Sequence, residues 1–246
     1  MTQAATDTSA EAEDLAAPLY IAWQITNECN FACLHCIEES GPGKAFADEL
    51  GAAKVFDILA QLMDHEVPYL SFSGGEPMLH PHFFEMVEHA CTRGAQLKIE
   101  TNGHYLSAEN CARMKALGVK AVQVSLDGAS GLTFNRMRVR GDFDRTADGL
   151  RNLHAAGVPI EINFSPASFD TPPATLLVLP NGWVKVAAAL PEICADLRRN
   201  TLPEAWEAYR SAWRSDRVQN EVRLAVEDGS RHARVNTWQL LPVAQA

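Results

Sequence analysis

VPYLSFSGGEPMLHPHFFEMVEHACTRGAQLKIETN, residues 67–102, contains one complete unit of a repeating pattern. A short apolar run, VPYLSFSG, gives way to a polar loop. Past Pro81, a residue suited to a first helical turn, Phe83, Val87 and Cys91 fall on one helical face. Gly94 then stands where a helix-ending glycine belongs, just ahead of the next apolar run, AQLKIETN. The same sequence of parts extends in both directions. LYIAWQIT begins at Leu19, and Phe56, Leu59 and Met63 share a helical face after it. KAVQVSLD and VPIEINFS follow, behind Gly118 and Gly157, with Ser107 as N-cap of a helix that turns Cys111 and Met114 inward. Strand, helix, strand at this spacing predicts right-handed βαβ units around a parallel sheet, an α/β fold with five visible β/α units. The functional sites of such sheets gather at the C-terminal ends of the strands.

Composition bounds the rest. The chain has 246 residues, 47% of them hydrophobic, enough for one ordinary domain with an appendage. A net charge of -10 with no Lys/Arg cluster argues against a nucleic-acid or anionic-membrane partner. Residues 1–18 carry acids and no Lys or Arg, which fits a disordered tail and not a signal peptide, and no apolar run reaches membrane-spanning length. A cytoplasmic protein is expected. In that reducing compartment its six cysteines are metal ligands or core residues before they are disulfides.

Two loops at predicted strand ends stand out. CNFACLHC, residues 29–36, follows the first strand and holds Cys29, Cys33 and Cys36. A structural zinc site wants four ligands, with His35 the nearest candidate for the fourth; an iron–sulfur cluster held by three thiolates leaves one iron open. SFSGGEPMLH, residues 71–80, follows the second strand. Its paired glycines permit either a tight turn or close backbone approach to a ligand, and Glu76-Pro77 sets an extended exit.

Together, CxxxCxxC on the first strand and GGEP on the second resemble the radical SAM superfamily in identity, order and spacing. His35, ahead of the third cysteine, fits the aromatic preference at that position. The resemblance implies a partial parallel (β/α) barrel. It implies a [4Fe-4S] cluster on Cys29, Cys33 and Cys36, and S-adenosyl-L-methionine bound at the open iron. Gly74, Gly75 and Glu76 would receive the methionyl amino group, with Pro77 completing the cofactor-binding motif; Asn102, in ETNG, ends the third strand and is a further cofactor-binding candidate. Ser125 and Asp127, in VSLDG, resemble the pair that meets the ribose or lines the substrate space, although Asp-Gly is also a good turn in any fold. Arg138 resembles a carboxylate-pairing arginine, with Arg136 and Arg140 as rivals. The implied chemistry is one-electron cleavage of the sulfonium to a 5′-deoxyadenosyl radical that takes hydrogen from a substrate, with an external flavodoxin or ferredoxin as electron donor. No further acid, base or nucleophile is needed for that step.

Beyond Ser165 the repeat breaks. TLLVLPNGWVKV reads as a hairpin around Asn181-Gly182, and Leu202, Trp206, Tyr209 and Trp213 share a helix. Residues 166–246 resemble a SPASM-type extension to a core at 19–165, yet Ala187, Ala188 and Ala189 follow the hairpin, and Cys194 is the one cysteine after Cys111. No auxiliary cluster is expected. The family barrel has six β/α units and five are visible, so the hairpin closes the sheet edge or the active-site wall is incomplete. The expected enzyme matures a peptide or cofactor precursor, as pyrroloquinoline quinone and mycofactocin maturases do; a peptide substrate would come with a separate recognition partner or dock on the barrel itself. The alternatives are a tetrapyrrole-modifying enzyme, a non-catalytic cluster-bearing protein, and a zinc-stabilised binding module.

Overall fold

In the computed structural model, which describes residues 15, 17–33, 36, 38–126, 130–160, 175–186, 190, 192–220 and 239–240, the apolar runs become neighbouring strands. Strand β1 (Tyr20–Gln24) is followed by a two-residue strand β2 (Ala32–Cys33), then by β3 (Tyr69–Ser73), β4 (Gln96–Thr101) and β5 (Ala121–Val124). β1, β3, β4 and β5 lie side by side and parallel, with Trp23 opposite Phe72, Phe72 opposite Ile99, and Ile99 opposite Val122. Helices α1 (Ala52–Asp64), α2 (Phe83–Thr92) and α3 (Ala108–Leu117) make the crossovers. They bring Leu59, Leu62, Met86, Val87, Cys111 and Met114 into one core with Ile21, Leu70, Leu97 and Ile99. Each such fully buried aliphatic side chain contributes about 1.5–3 kcal/mol.

The strand period of two separates the faces. On β4, Leu97 and Ile99 are fully buried while Lys98 and Glu100 stay partly exposed. Glu100 lies opposite Gln123 of β5 and accepts a hydrogen bond from Ser71 Oγ of β3 at 2.7 Å. One face of the sheet is therefore apolar and covered; the other carries polar side chains.

Two local expectations change. Pro81 precedes α2, whose N-cap is His82, and it is Pro77 that occupies a first turn, in the short 3-10 helix Pro77–Leu79. The Glu76 side chain sets that start by accepting the Met78 amide. FNRMRVRGDFD also carries more structure than its sequence suggests: helix α4 (Gly131–Met137), strand β6 (Arg138–Val139) and the start of helix α5 (Phe143–Ala156). β6 pairs antiparallel with β2, which sets Arg138 opposite Cys33.

The C-terminal hairpin, β7 (Thr175–Val178) and β8 (Trp183–Lys185), closes a sheet edge, and that edge is the one beside β1, where β7 runs parallel to it. β9 (Glu192–Asp196) adds antiparallel to β8, and β10 (Gln239–Leu240) adds parallel to β9. The sheet order is β10-β9-β8-β7-β1-β3-β4-β5. At the β5 edge the fifth expected run contributes an isolated bridge from Ile160 to Val122; its remainder, 161–165, lies outside the described residues. Helix α6 (Leu202–Trp213) buries Leu202, Trp206, Tyr209 and Trp213 in the core, as their shared face predicts. Cys111 and Cys194 are buried and Cys91 is half-buried against the core. Among the described residues, no helix is long and apolar enough to cross a membrane.

Candidate functional site

The loop after β1 is shaped by its own polar side chains. Glu49 accepts the Asn27 amide at 2.7 Å and the Thr26 hydroxyl at 3.0 Å. Asn27 in turn donates to the Lys44 carbonyl and accepts from Ser40 Oγ at 2.7 Å. Glu28 accepts the amides of Gly43 and Ala45. These bonds tie the stretch before Cys29 to the stretch after Cys36, and Cys29, Cys33 and Cys36 line one cavity of about 260 Å³.

Each of the three sulfurs receives an N–H. Cys29 Sγ accepts from the Phe31 amide at 3.4 Å and from Asn102 Nδ2 at 3.7 Å. Cys33 Sγ accepts from Arg138 Nη1 at 3.5 Å, and Cys36 Sγ from the Ser40 amide at 3.3 Å. Burial pushes the Cys29 thiol up to about 11, with the nearby Glu76 carboxylate adding to the rise and the two donors opposing it. A positively charged centre would hold it as thiolate, the form that ligates metal. All three cysteines line the cavity.

The paired glycines at the end of β3 have a packing reason that the sequence does not disclose. Gly74 has φ +146, and a Cβ there would sit 2.3 Å from the Thr26 carbonyl oxygen; one on Gly75 would sit 2.3 Å from that of Glu28. The Gly75 amide donates to Thr26 O at 2.8 Å and the Glu76 amide to Glu28 O at 2.9 Å. Glycine is thus what allows the β3 loop to lie directly on the cysteine loop, and both residues also line the cavity.

Glu76 is completely buried, and its carboxylate faces the end of β4. It accepts from Met78 N at 3.2 Å, from Thr101 Oγ1 at 2.9 and 2.8 Å, and from Asn102 N at 2.9 Å. Burial nonetheless raises it to about 7, the hydrogen bonds from Asn102, Thr101 and Met78 opposing. Asn102, so fixed, donates to Cys29 and to Asn30 Oδ1 at 2.8 Å.

The cavity therefore brings together Cys29, Cys33, Cys36, Gly74, Gly75, Asn102, Ser125 and Arg138. Glu76 and Pro77 lie behind its wall. Asp127 and His35 fall outside the described residues. Of the three rival arginines, Arg138 is on the wall and buried, packed 5.7 Å from the Phe134 ring, whereas Arg140 is exposed; the Arg136 side chain is not described. Ser73, Glu100 and Gln123 complete much of the polar side and were not singled out from the sequence, although their alternation with Phe72, Ile99 and Val122 was legible there; Thr101, on the Ile99 face of β4, also lines the cavity. Glu38 and Ser40, just past the third cysteine, were also missed; loop residues offer no such periodicity.

Comparison with known proteins adds three kinds of likeness. Residues 23–166 match the model of the Radical SAM superfamily. The chain is 38% identical over 143 residues to mycofactocin maturase MftC of Mycobacterium tuberculosis, a match covering 58% of this chain and 36% of that protein. It is 34% identical over 148 residues to the AdoMet-dependent heme synthase of Methanosarcina barkeri, covering 60% and 42%. The chain thus spans well under half the length of these curated relatives. Among solved structures, BtrN in complex with AdoMet and 2-DOIA superposes with a TM-score of 0.57 at 17% identity, covering 88% of this chain and 89% of that one. Streptococcus suis SuiB bound to S-adenosylmethionine gives 0.51 at 18% identity, covering 63% and 36%. At these identities the structural likeness is one of fold.

Proposed function

We propose that this chain, which belongs to the radical SAM superfamily, is an enzyme that holds a [4Fe-4S] cluster on Cys29, Cys33 and Cys36 and uses it with S-adenosyl-L-methionine to modify a peptide or cofactor precursor. The observation that carries the reading is the set of N–H donors, one or more aimed at each of the three sulfurs around one cavity. Such donors stabilise thiolate and help to set a cluster's potential. When bound, the cluster and cofactor would supply one-electron cleavage of the sulfonium to a 5′-deoxyadenosyl radical that abstracts hydrogen.

This chain's residues bind and orient. Gly74 and Gly75 line the cavity beside the cysteine loop, where their backbone would receive the methionyl group. Glu76 acts through Thr101 and Asn102, and Pro77 fixes the turn behind it. Ser125 offers a hydroxyl for the nucleoside, with Asp127 its companion. Arg138 donates to the sulfur of Cys33, and buried Phe31 and Phe134 help to keep water from that side.

The peptide or cofactor-precursor substrate rests on likeness to the mycofactocin maturase and on the fold shared with SuiB, solved with the precursor peptide SuiA. Likeness to the heme synthase supports a second reading, modification of a tetrapyrrole. An external flavodoxin- or ferredoxin-type donor supplies the electron, a peptide substrate is presented by a separate recognition protein or docks on the barrel itself, and the cytoplasm is the compartment. Residues 19–165 form the catalytic core and 166–246 the SPASM-like extension.

The test is anaerobic reconstitution followed by iron and sulfide analysis and electron paramagnetic resonance of the reduced protein. The expected result is four irons and four sulfides per chain, as a [4Fe-4S] cluster requires, and a signal that shifts when S-adenosylmethionine is added. Stoichiometric zinc without sulfide would reject it.

A further inference from the structure

The loop that carries the cysteines is held from outside as well as from within. Its return arm, residues 38–50, runs along the C-terminal hairpin and the turn after β9. The Leu50 amide donates to the Pro180 carbonyl at 3.0 Å. Asp48 accepts from Arg198 Nη1 at 2.9 Å and from Asn181 Nδ2 at 3.5 Å. Arg198 is itself fixed by a fork to Asp196 with both contacts at 2.9 Å. Lys185 of β8, 1% exposed, places its ammonium 3.9 Å from the carboxylate of Glu38, two residues past Cys36. Gly182 packs so closely that an added Cβ would lie 3.1 Å from Leu50 and 3.3 Å from Arg198. From this arm Glu49 reaches back to Thr26 and Asn27, immediately ahead of Cys29.

Cys194 of β9 is buried, its Sγ donates to the Val184 carbonyl of the hairpin at 3.4 Å, and burial pushes the thiol up to about 12. What the hairpin does supply is the Lys185 ammonium and the Pro180 carbonyl, and the turn after β9 adds the Arg198 guanidinium, all aimed at the arm between the cysteines and α1.

We propose that the C-terminal hairpin and the turn after β9 are a clamp that fixes the shape of the cysteine loop, with Lys185 and Arg198 as positioning residues that act through Glu38 and Asp48. The clamp joins both ends of the cysteine loop to one side of the sheet: Glu38 past Cys36, and Asp48–Leu50 feeding Glu49 to the stretch before Cys29. It deepens the reading of the cysteines as cluster ligands and rests on it for its purpose, but its shape is testable without a cluster.

The test is hydrogen exchange on the full-length apo-protein, with iron content after reconstitution as a second readout. Asp48 is half exposed, so Asp48→Ala folds, and it removes both the Arg198 and the Asn181 contacts. Exchange in residues 38–50 is expected to rise about fivefold, the effect of losing roughly 1 kcal/mol of local protection, while the central strands keep theirs. Asp48→Glu restores most of it. For the buried pair, Glu38→Gln, Lys185→Met and their combination form a cycle whose effects on the same segment are not additive. In Asp48→Ala, cluster occupancy at limiting iron falls while the melting temperature of the apo-protein barely moves. Unchanged exchange in 38–50, or a rise spread evenly over the chain, would overturn the clamp. Failure of the wild-type protein to bind any cluster would sink the functional reading and leave the exchange result standing, so the two failures are distinct.

Discussion

Gly75 and Glu76 are neighbours with opposite physical problems. At Gly75 the problem is space: an added Cβ meets the Glu28 carbonyl oxygen at 2.3 Å, and backbone oxygen cannot swing aside as a side chain does. Gly75→Ala therefore pushes the cysteine loop itself, at a cost of about 1–3 kcal/mol, and should lower cluster loading. Iron content and the urea midpoint of the variant check this; a variant that loads its cluster normally contradicts it. At Glu76 the problem is charge. Its folded pKa, raised from 4.5 to about 7, means that the folded chain keeps a proton that the unfolded chain loses over that window. The folded state then binds more protons, so this group's effect is to lower stability as pH rises from 4.5 through 7, by about 3 kcal/mol at most. Glu76→Gln removes that slope but turns an amide donor toward the Asn102 N–H, at about 1–3 kcal/mol at every pH. Urea midpoints of the apo-proteins at pH 5 and pH 8 should fall further for wild type than for the variant. Parallel profiles would show that Glu76 stays ionised throughout.

Among the elements, those legible in the sequence share a cause. β3, β4, α2 and α3 are long enough for apolar period and punctuation to agree: Ser107 caps α3 by accepting the Asn110 amide, and Gly118 ends it at φ +85. The hairpin was legible for the same reason, with Gly182 at φ +83 in its turn. What was not legible is pairing between distant short pieces. β2 and β6 have two residues each, too few for any alternation, yet their register is what brings Arg138 to Cys33. Nor does any local signal say that β7 pairs beside β1, because strand neighbours are chosen by tertiary packing. The cysteines and glycines of the site were visible as motifs, whereas Glu38 and Ser40 were not, since a loop contact carries no period. Helix α6 offers a test at this scale. Trp206 is buried, stacks on Tyr209 at 5.3 Å, and donates its indole N–H to the Leu15 carbonyl at 3.1 Å. Trp206→Ala should cost about 3–5 kcal/mol, a cavity-forming loss with a hydrogen-bond acceptor left behind. Chemical denaturation measures it, and a loss under 1 kcal/mol would mean that α6 is not part of the core.

For the whole molecule, the question left by five visible β/α units is whether the sheet assembles a competent wall. The continuous order β10-β9-β8-β7-β1-β3-β4-β5 shows how the β1 edge is covered: the C-terminal strands extend the sheet that bears the cysteine loop. The edge is closed by the C-terminal segment, to which the proposed clamp assigns a mechanical role. Glu100 and Gln123, from the polar side of the same sheet, line the cavity that the cysteines line. The measurement that tests the account most directly is release of 5′-deoxyadenosine by anaerobically reconstituted protein given dithionite and S-adenosylmethionine, with Cys33→Ala as control. The account predicts release by the wild-type chain and none above background by the variant, which keeps its βα scaffold but loses the cluster. A wild-type protein with a correctly loaded cluster and no release would contradict it.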